Sequence, residues 1–227
     1  HYRESDRPED VGKCLLTIAN HFVMLEDYEN ALPLYKEAYQ LALEHKSIEL
    51  QQVSGIMLIK YLCGAGYYSE SLEYYNKIKP EIAFNPSMQN EVVKSYMELN
   101  KPDSARIYLA ARLLSERGDK IVLNCMMAET YIPEGQEDSA FVFLDRAMKS
   151  YKEKAKNYQK QGREAILPNC FLSPCYLFAD LLWKKGKIQQ ASQYYMIVEP
   201  LMKERVKTPV RMELQIKALT NFSSFCR

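Results

Sequence analysis

Residues 138–147 read Asp-Ser-Ala-Phe-Val-Phe-Leu-Asp-Arg-Ala, and residues 103–112 read Asp-Ser-Ala-Arg-Ile-Tyr-Leu-Ala-Ala-Arg. In both, a small residue is followed four positions later by a bulky one, and a third marked position follows three later again. The pattern occurs five times: Ala31/Tyr35/Ala38, Ser71/Tyr75/Ile78, Ala105/Leu109/Arg112, Ala140/Leu144/Ala147 and Ala191/Tyr195/Val198. Steps of four and three place all the members of a set on one face of an α-helix. The five anchors are 40, 34, 35 and 51 residues apart, and recurrence at this length marks a helical repeat. A repeat array is a surface built by stacking units, and usually not a catalyst.

Working outward, each anchor set is preceded by a second helical stripe and a short break. Leu15, Ile18, Ala19 and Phe22 lead to Glu26-Asp27, with Asp27 in position to cap the next helix through its carboxylate. Leu58, Ile59 and Leu62 lead to a turn at Gly64–Gly66, with Ser69 expected as the cap of the following helix. Val92, Val93 and Tyr96 lead to Asn100-Lys101-Pro102, where proline suits a first helical turn that needs no N–H. Met127, Ala128 and Tyr131 lead to Gly135, and Phe178, Ala179 and Leu182 lead to Gly186. Alternating β-branched stretches are nearly absent, so the chain reads as all-α. Pro33 falls about two turns into a predicted helix and removes one hydrogen bond there.

Helix, short turn, helix, with small residues where the two cross, resembles the tetratricopeptide repeat (TPR). The resemblance covers roughly residues 11–227. Ala19, Ala128 and Ala179 match the family's small first-helix residue, and Gly66, Gly135 and Gly186 match its turn glycine. Ile59, Val93 and Arg112 depart from it where small residues are usual, and the closing proline is generally missing. The resemblance implies a right-handed α-solenoid of about five helix pairs plus a terminal helix, forming a single superhelical domain over 1–227. The Asp-Ser-Ala form is similar to the repeat regions of bacterial sensor kinases and helix-turn-helix regulators. That similarity implies a sensing or regulatory module.

The 51-residue interval exceeds the family norm by about 16 residues. The excess falls in Lys149–Pro168, which carries Lys149, Lys152, Lys154, Lys156, Lys160 and Arg163 and is read as a solvated helix extension followed by a loop. At the far end, Leu219, Phe222, Ser223 and Cys226 have first-helix spacing within Glu213–Arg227, with no second helix after them. Such a half repeat leaves apolar surface uncovered. The expectation is a fragment of a longer protein, with homodimerisation through that open end.

Composition narrows the function classes. Lys and Arg total 30 against 29 for Asp and Glu, so no basic excess supports nucleic-acid binding through this region. No apolar run approaches the roughly 20 residues of a membrane span. Neither a signal-peptide pattern nor a phosphate-binding glycine loop is present; Gly64-Ala65-Gly66 reads as an interhelix turn. The chain starts at His1, which leaves room for a lost targeting segment, and an extracytoplasmic setting is favoured over the cytoplasm. Three histidines and six scattered cysteines give neither a metal-ligand set nor a nucleophilic triad, so no enzyme, metal or cofactor is expected. Most cysteines read as small core residues, with Cys170 and Cys175 the pair to join under oxidising conditions. Of the seventeen tyrosines, Tyr35, Tyr75, Tyr96, Tyr131 and Tyr195 read as core.

In the repeat family, first helices line a concave groove. By register the groove positions are Leu16, Asn20 and Val23; Ile56, Lys60 and Cys63; Asn90, Lys94 and Met97; Cys125, Glu129 and Ile132; Tyr176, Asp180 and Trp183. The residues singled out for binding a protein or peptide are Asn20, Lys60, Lys94, Met97, Glu129, Tyr176, Asp180 and Trp183. The family's lysine/asparagine clamp for chaperone tails is disfavoured: Leu16, Met57 and Ser87 replace its polar residues, and only Asn20 fits. A free-standing scaffold of the cell envelope and an intracellular regulator gated by a peptide pheromone are the competing readings.

Overall fold

Why the described helices form separately is visible at their ends. In the structure, a computed structural model, residues 8–82, 88–115, 119–161 and 172–204 are described. Among them are α1 (Pro8–Met24), α2 (Tyr28–Glu44), α3 (Ile48–Gly64), α4 (Tyr68–Ile82), α5 (Gln89–Glu98), α6 (Pro102–Leu114), α7 (Lys120–Glu129), α8 (Glu137–Lys160), α9 (Leu172–Lys184) and α10 (Ile188–Glu204), and no strand. The fold is all-α. Asp27 accepts a hydrogen bond from Asn30 N at 3.2 Å and so caps α2 as expected. Asp119 does the same for α7, accepting from Ile121 N at 2.9 Å. Pro102 opens α6. Pro33 lies within α2 on an exposed face, and the helix continues past it. Ser69 is not a cap, because α4 starts one residue earlier, at Tyr68.

The turns share one construction. After α1, α3, α5, α7 and α9, a residue with positive φ reverses the chain: Glu26 (59°), Gly66 (85°), Asn100 (54°), Gly135 (67°) and Gly186 (72°). At each, the next N–H reaches back five residues to a carbonyl, as in Tyr67 N to Leu62 O at 2.8 Å and Lys187 N to Leu182 O at 2.9 Å. This is the Schellman arrangement, which satisfies carbonyls that the helix end leaves open. Lys46 (φ 54°) repeats it between α2 and α3.

Contacts divide the chain into two compact units, 1–108 and 109–227. In the first, α1 packs on α2, α2 on α3, α3 on α4 and α4 on α5, and α3 also touches α1 and α5. In the second, α7 packs on α8, α8 on α9 and α9 on α10. The five anchors Ala31, Ser71, Ala105, Ala140 and Ala191 are all fully buried, and the bulky positions Tyr35, Tyr75, Leu109, Leu144 and Tyr195 are buried. Ser71 shows how closely a pair crosses: its hydroxyl donates to the Ile59 carbonyl on α3 at 2.9 Å. The first-helix positions Ala19, Ile59, Val93, Ala128 and Ala179 are buried opposite. Along α1 the buried face is Gly12, Leu15, Leu16 and Ala19. Ile18, read as part of the stripe, is 48% exposed, and Leu16, read as groove, is core. At Gly12 a Cβ would collide with the Leu50 side chain, so glycine is what lets α1 lie against α3.

Tyrosines knit the first unit. Tyr35 stacks on Tyr61 at 5.1 Å, while Tyr39 meets Tyr74 and Tyr75 meets Tyr108 edge to face. Such aromatic pairs add about 0.5–1.5 kcal/mol each beyond area burial. Tyr35 and its hydrogen bond to Asn20 Oδ1 (2.6 Å) tie α2 to α1, and burial raises its phenol pKa. In the second unit, Phe141 stacks on Phe178 and Phe178 meets Tyr194 edge to face. Helix α8 runs 24 residues, so the expected extension is helical to Lys160, with Lys152, Lys154, Lys156 and Lys160 exposed. The loop part of the excess from 162, and the half repeat at 213–227, lie outside the described residues.

Cys63, Cys125 and Cys175 are buried free thiols, in keeping with a core role; Cys14 is half-buried. Cys170 and Cys226 lie outside the described residues. Burial pushes the Cys175 thiol up to about 12, so it stays protonated and unreactive near neutrality.

Three outcomes follow. Ala140→Leu, which overpacks the α7–α8 crossing, should destabilise the second unit by about 1–3 kcal/mol in urea unfolding. Glu26→Gly should stabilise by about 0.5 kcal/mol, since relief of left-handed strain (about 1–2) exceeds glycine's entropic cost (about 0.5–1). In native alkylation at pH 8 read by mass spectrometry, Cys14 should label well before Cys63, Cys125 and Cys175. Labelling of Cys175 at the rate of Cys14 would contradict the burial argument.

Candidate functional site

The register positions on α1, α3 and α5 form the accessible part of the first unit's first-helix face. Asn20, Lys60, Asn90 and Lys94 are exposed, and Val23, Ile56 and Met97 are half-buried. The Asn20 oxygen is occupied by Tyr35, which leaves its amide nitrogen to face outward. The Lys60 ammonium sits 5.3 Å from the Tyr61 ring centre, and that of Lys94 lies 5.9 Å from Tyr68. Aromatic faces hold both cations in place without neutralising them. Between them, Cys63 is buried, its thiol donating to the Glu91 carbonyl at 3.5 Å, so it belongs to the α3–α5 packing and not to the surface. The local chemistry is two exposed ammonium groups, each near a tyrosine ring, on helices that also carry half-buried Ile56 and Met97.

The second unit differs in sign. Glu129 is exposed at the end of α7. Asp180 is half-buried and pairs with Lys184 at 3.7 Å. Trp183 packs half-buried on the core of this unit. Tyr176 is a correction: only 7% exposed, with its ring 5.7 Å from that of Tyr195, it serves the α9–α10 packing and offers no groove surface. Cys125 is likewise core.

Two features escaped sequence reading. Lys184 and Lys185, at the end of α9, reach Glu137 (2.7 Å) and Asp138 at the start of α8, 47 residues away. The Lys185 ammonium holds the Asp138 carboxyl below its usual range. The acidic pair favours the helix dipole as expected, and it also joins two units of the repeat. The other feature is a cleft beside the α1–α2 turn. Its walls come from residues 26–36 and 65–70, and no local motif announces them. Among the described residues, no group of three or more His, Cys, Asp or Glu side chains is placed to hold a metal ion, and no helix is long and apolar enough to cross a membrane.

Against known proteins, the family model described as "Tetratricopeptide repeat" matches residues 172–196, which span α9 and the first half of α10. No curated protein matches. Among solved structures, the chain is similar to pilF of Pseudomonas aeruginosa (13% identity, TM-score 0.62, 95% of this chain and 86% of that one). It is also similar to nearly identical TPR-like repeats from Podosopora anserina (15%, 0.60, 90% and 100%). A third is a thermophilic TPR protein of Thermus thermophilus (14%, 0.55, 92% and 97%). At these identities the likeness concerns the fold. The chain has the tetratricopeptide-repeat fold and carries a copy of that repeat at residues 172–196.

Proposed function

We propose that this chain is a non-catalytic module that binds a protein or peptide segment through its first-helix face, as the regulatory part of a bacterial signalling or transcription-regulatory protein. The fold supports the binding role, because stacked helix pairs create an extended surface in place of a closed catalytic pocket. The regulatory role is supported by the Asp-Ser-Ala form of the repeat at 103–105 and 138–140.

The observation that carries the binding role is the pair of exposed lysines, Lys60 and Lys94, on the neighbouring helices α3 and α5. Each lies over a tyrosine ring, and half-buried Ile56 and Met97 accompany them. Cations placed over tyrosine rings on the same helices as half-buried apolar residues suit an acidic segment with apolar anchors. Trp183, the single tryptophan, is a poorer probe than its chemistry suggests. It packs on the core of the second unit, so its removal costs stability as well as contact.

The test is fluorescence anisotropy with a labelled peptide of alternating Glu and Leu. Lys94→Glu and Lys60→Glu should each weaken binding by about tenfold through charge reversal, with helicity by circular dichroism unchanged. Unaltered affinity in both variants would remove the first-helix face of the first unit as the site.

A further inference from the structure

The cleft beside the α1–α2 turn gathers several carboxylates. It is an open depression of about 750 Å³ in the first unit, lined from the start of α2 and the start of α4. That volume lies within the range of small-ligand and side-chain pockets, about 300–1,000 Å³. Its lining includes the apolar residues Leu32, Pro33 and Ala65, of which Leu32 is buried and Pro33 exposed. Tyr67 also lines it and is 54% exposed. Tyr28, half-buried, is a further lining residue, its ring 6.4 Å from that of Tyr61.

The charge at the rim is lopsided. Four carboxylates line the cleft, on Glu26, Asp27, Glu29 and Glu70, against one ammonium, that of Lys36. Lys36 is already held by Glu70 at 2.6 Å. Asp27 is engaged with Asn30 through both oxygens, at 3.2 and 2.7 Å. Glu26 and Glu29 are exposed, and among the described residues neither has a cationic partner. The cleft therefore presents two uncompensated carboxylates, an exposed tyrosine and the apolar residues Leu32, Pro33 and Ala65.

We infer that this cleft is a second docking site, separate from the first-helix face, for a cationic peptide segment in which arginine or lysine alternates with apolar residues. The guanidinium or ammonium group fits between Glu26 and Glu29, where charge-assisted hydrogen bonds form. A neighbouring cation lies over the exposed Tyr67 ring. The apolar side chain between them rests on Leu32 and Pro33. The site takes the opposite charge to the one proposed on α3 and α5, so one chain can hold two segments of different chemistry at once. Because its residues come from α2 and the two neighbouring turns, charge reversal at Lys60 or Lys94 leaves it intact.

The test uses a fluorescein-labelled peptide Gly-Arg-Leu-Arg-Leu-Arg-Gly and the whole chain, read by anisotropy. Binding is expected to the wild type, falling as salt is raised, and not to the same peptide with Gln for Arg. Glu29→Lys should weaken it by about tenfold and Tyr67→Ala by about threefold. Glu29→Gln, which leaves α2 without a new charge at its start, should give an intermediate loss, so a folding defect in the lysine variant does not spare the proposal. Glu49→Lys, at the exposed start of α3 outside the cleft, makes the same charge change and should leave affinity within twofold. Equal weakening by Glu29→Lys and Glu49→Lys would show diffuse attraction and overturn the site. So would absence of binding to the wild type, or equal binding of the Gln peptide. Lys94→Glu should not reduce affinity for the Arg peptide, which separates failure of this site from failure of the first-helix face.

Discussion

Two helices cross closely where one of them carries almost no side chain, and this constraint recurs through the described helices. Ala31, Ser71, Ala105, Ala140 and Ala191 mark those points, and none leaves measurable surface to solvent. The Ser71 hydroxyl shows the consequence, since it reaches the backbone of the opposing helix directly. A bulky residue one turn on, tyrosine or leucine, then fills the space that opens as the helices diverge. Close crossing also dictates the connection, because helices that touch near their ends leave three or so residues to reverse the chain. The left-handed residue and its backward hydrogen bond are the short solution.

That solution is met by different residues at different cost. Gly66, Gly135 and Gly186 adopt positive φ freely, whereas Glu26 and Asn100 adopt it with a side chain attached. The turn geometry is therefore imposed by the crossing and not chosen by the local sequence. Glu26 has a further consequence: a carboxylate lines a cleft at the position where the turns after α3, α5, α7 and α9 place a glycine or an asparagine.

Charge divides the accessible surfaces although the chain as a whole is almost neutral. Lysines over tyrosines face outward from α3 and α5, while carboxylates gather at the turn edge of the same unit. In the second unit, the acidic residues at the start of α8 are paired with Lys184 and Lys185 across to α9. Counting charges along the chain misses this distinction, because pairing depends on residues 47 positions apart.

The helices, their turns and the buried anchor positions were legible in the sequence because helical periodicity and turn chemistry are local. Residues three and four apart share a face whatever the tertiary context, and Asp27 caps α2 through a residue three positions away. Which apolar residue of α1 faces inward was not legible. Ile18 reads as part of the stripe and Leu16 as groove, and only packing against α2 and α3, with Gly12 set against Leu50, buries Leu16 and leaves Ile18 exposed. Tyr176 went the same way, drawn into the core by Tyr195. The acidic cleft belongs wholly to tertiary structure, since it exists only where two turns distant in sequence lie side by side. Local spacing determines what a helix is and where it ends; which face it buries, and what its neighbours bring beside it, is decided by contacts that sequence distance does not record.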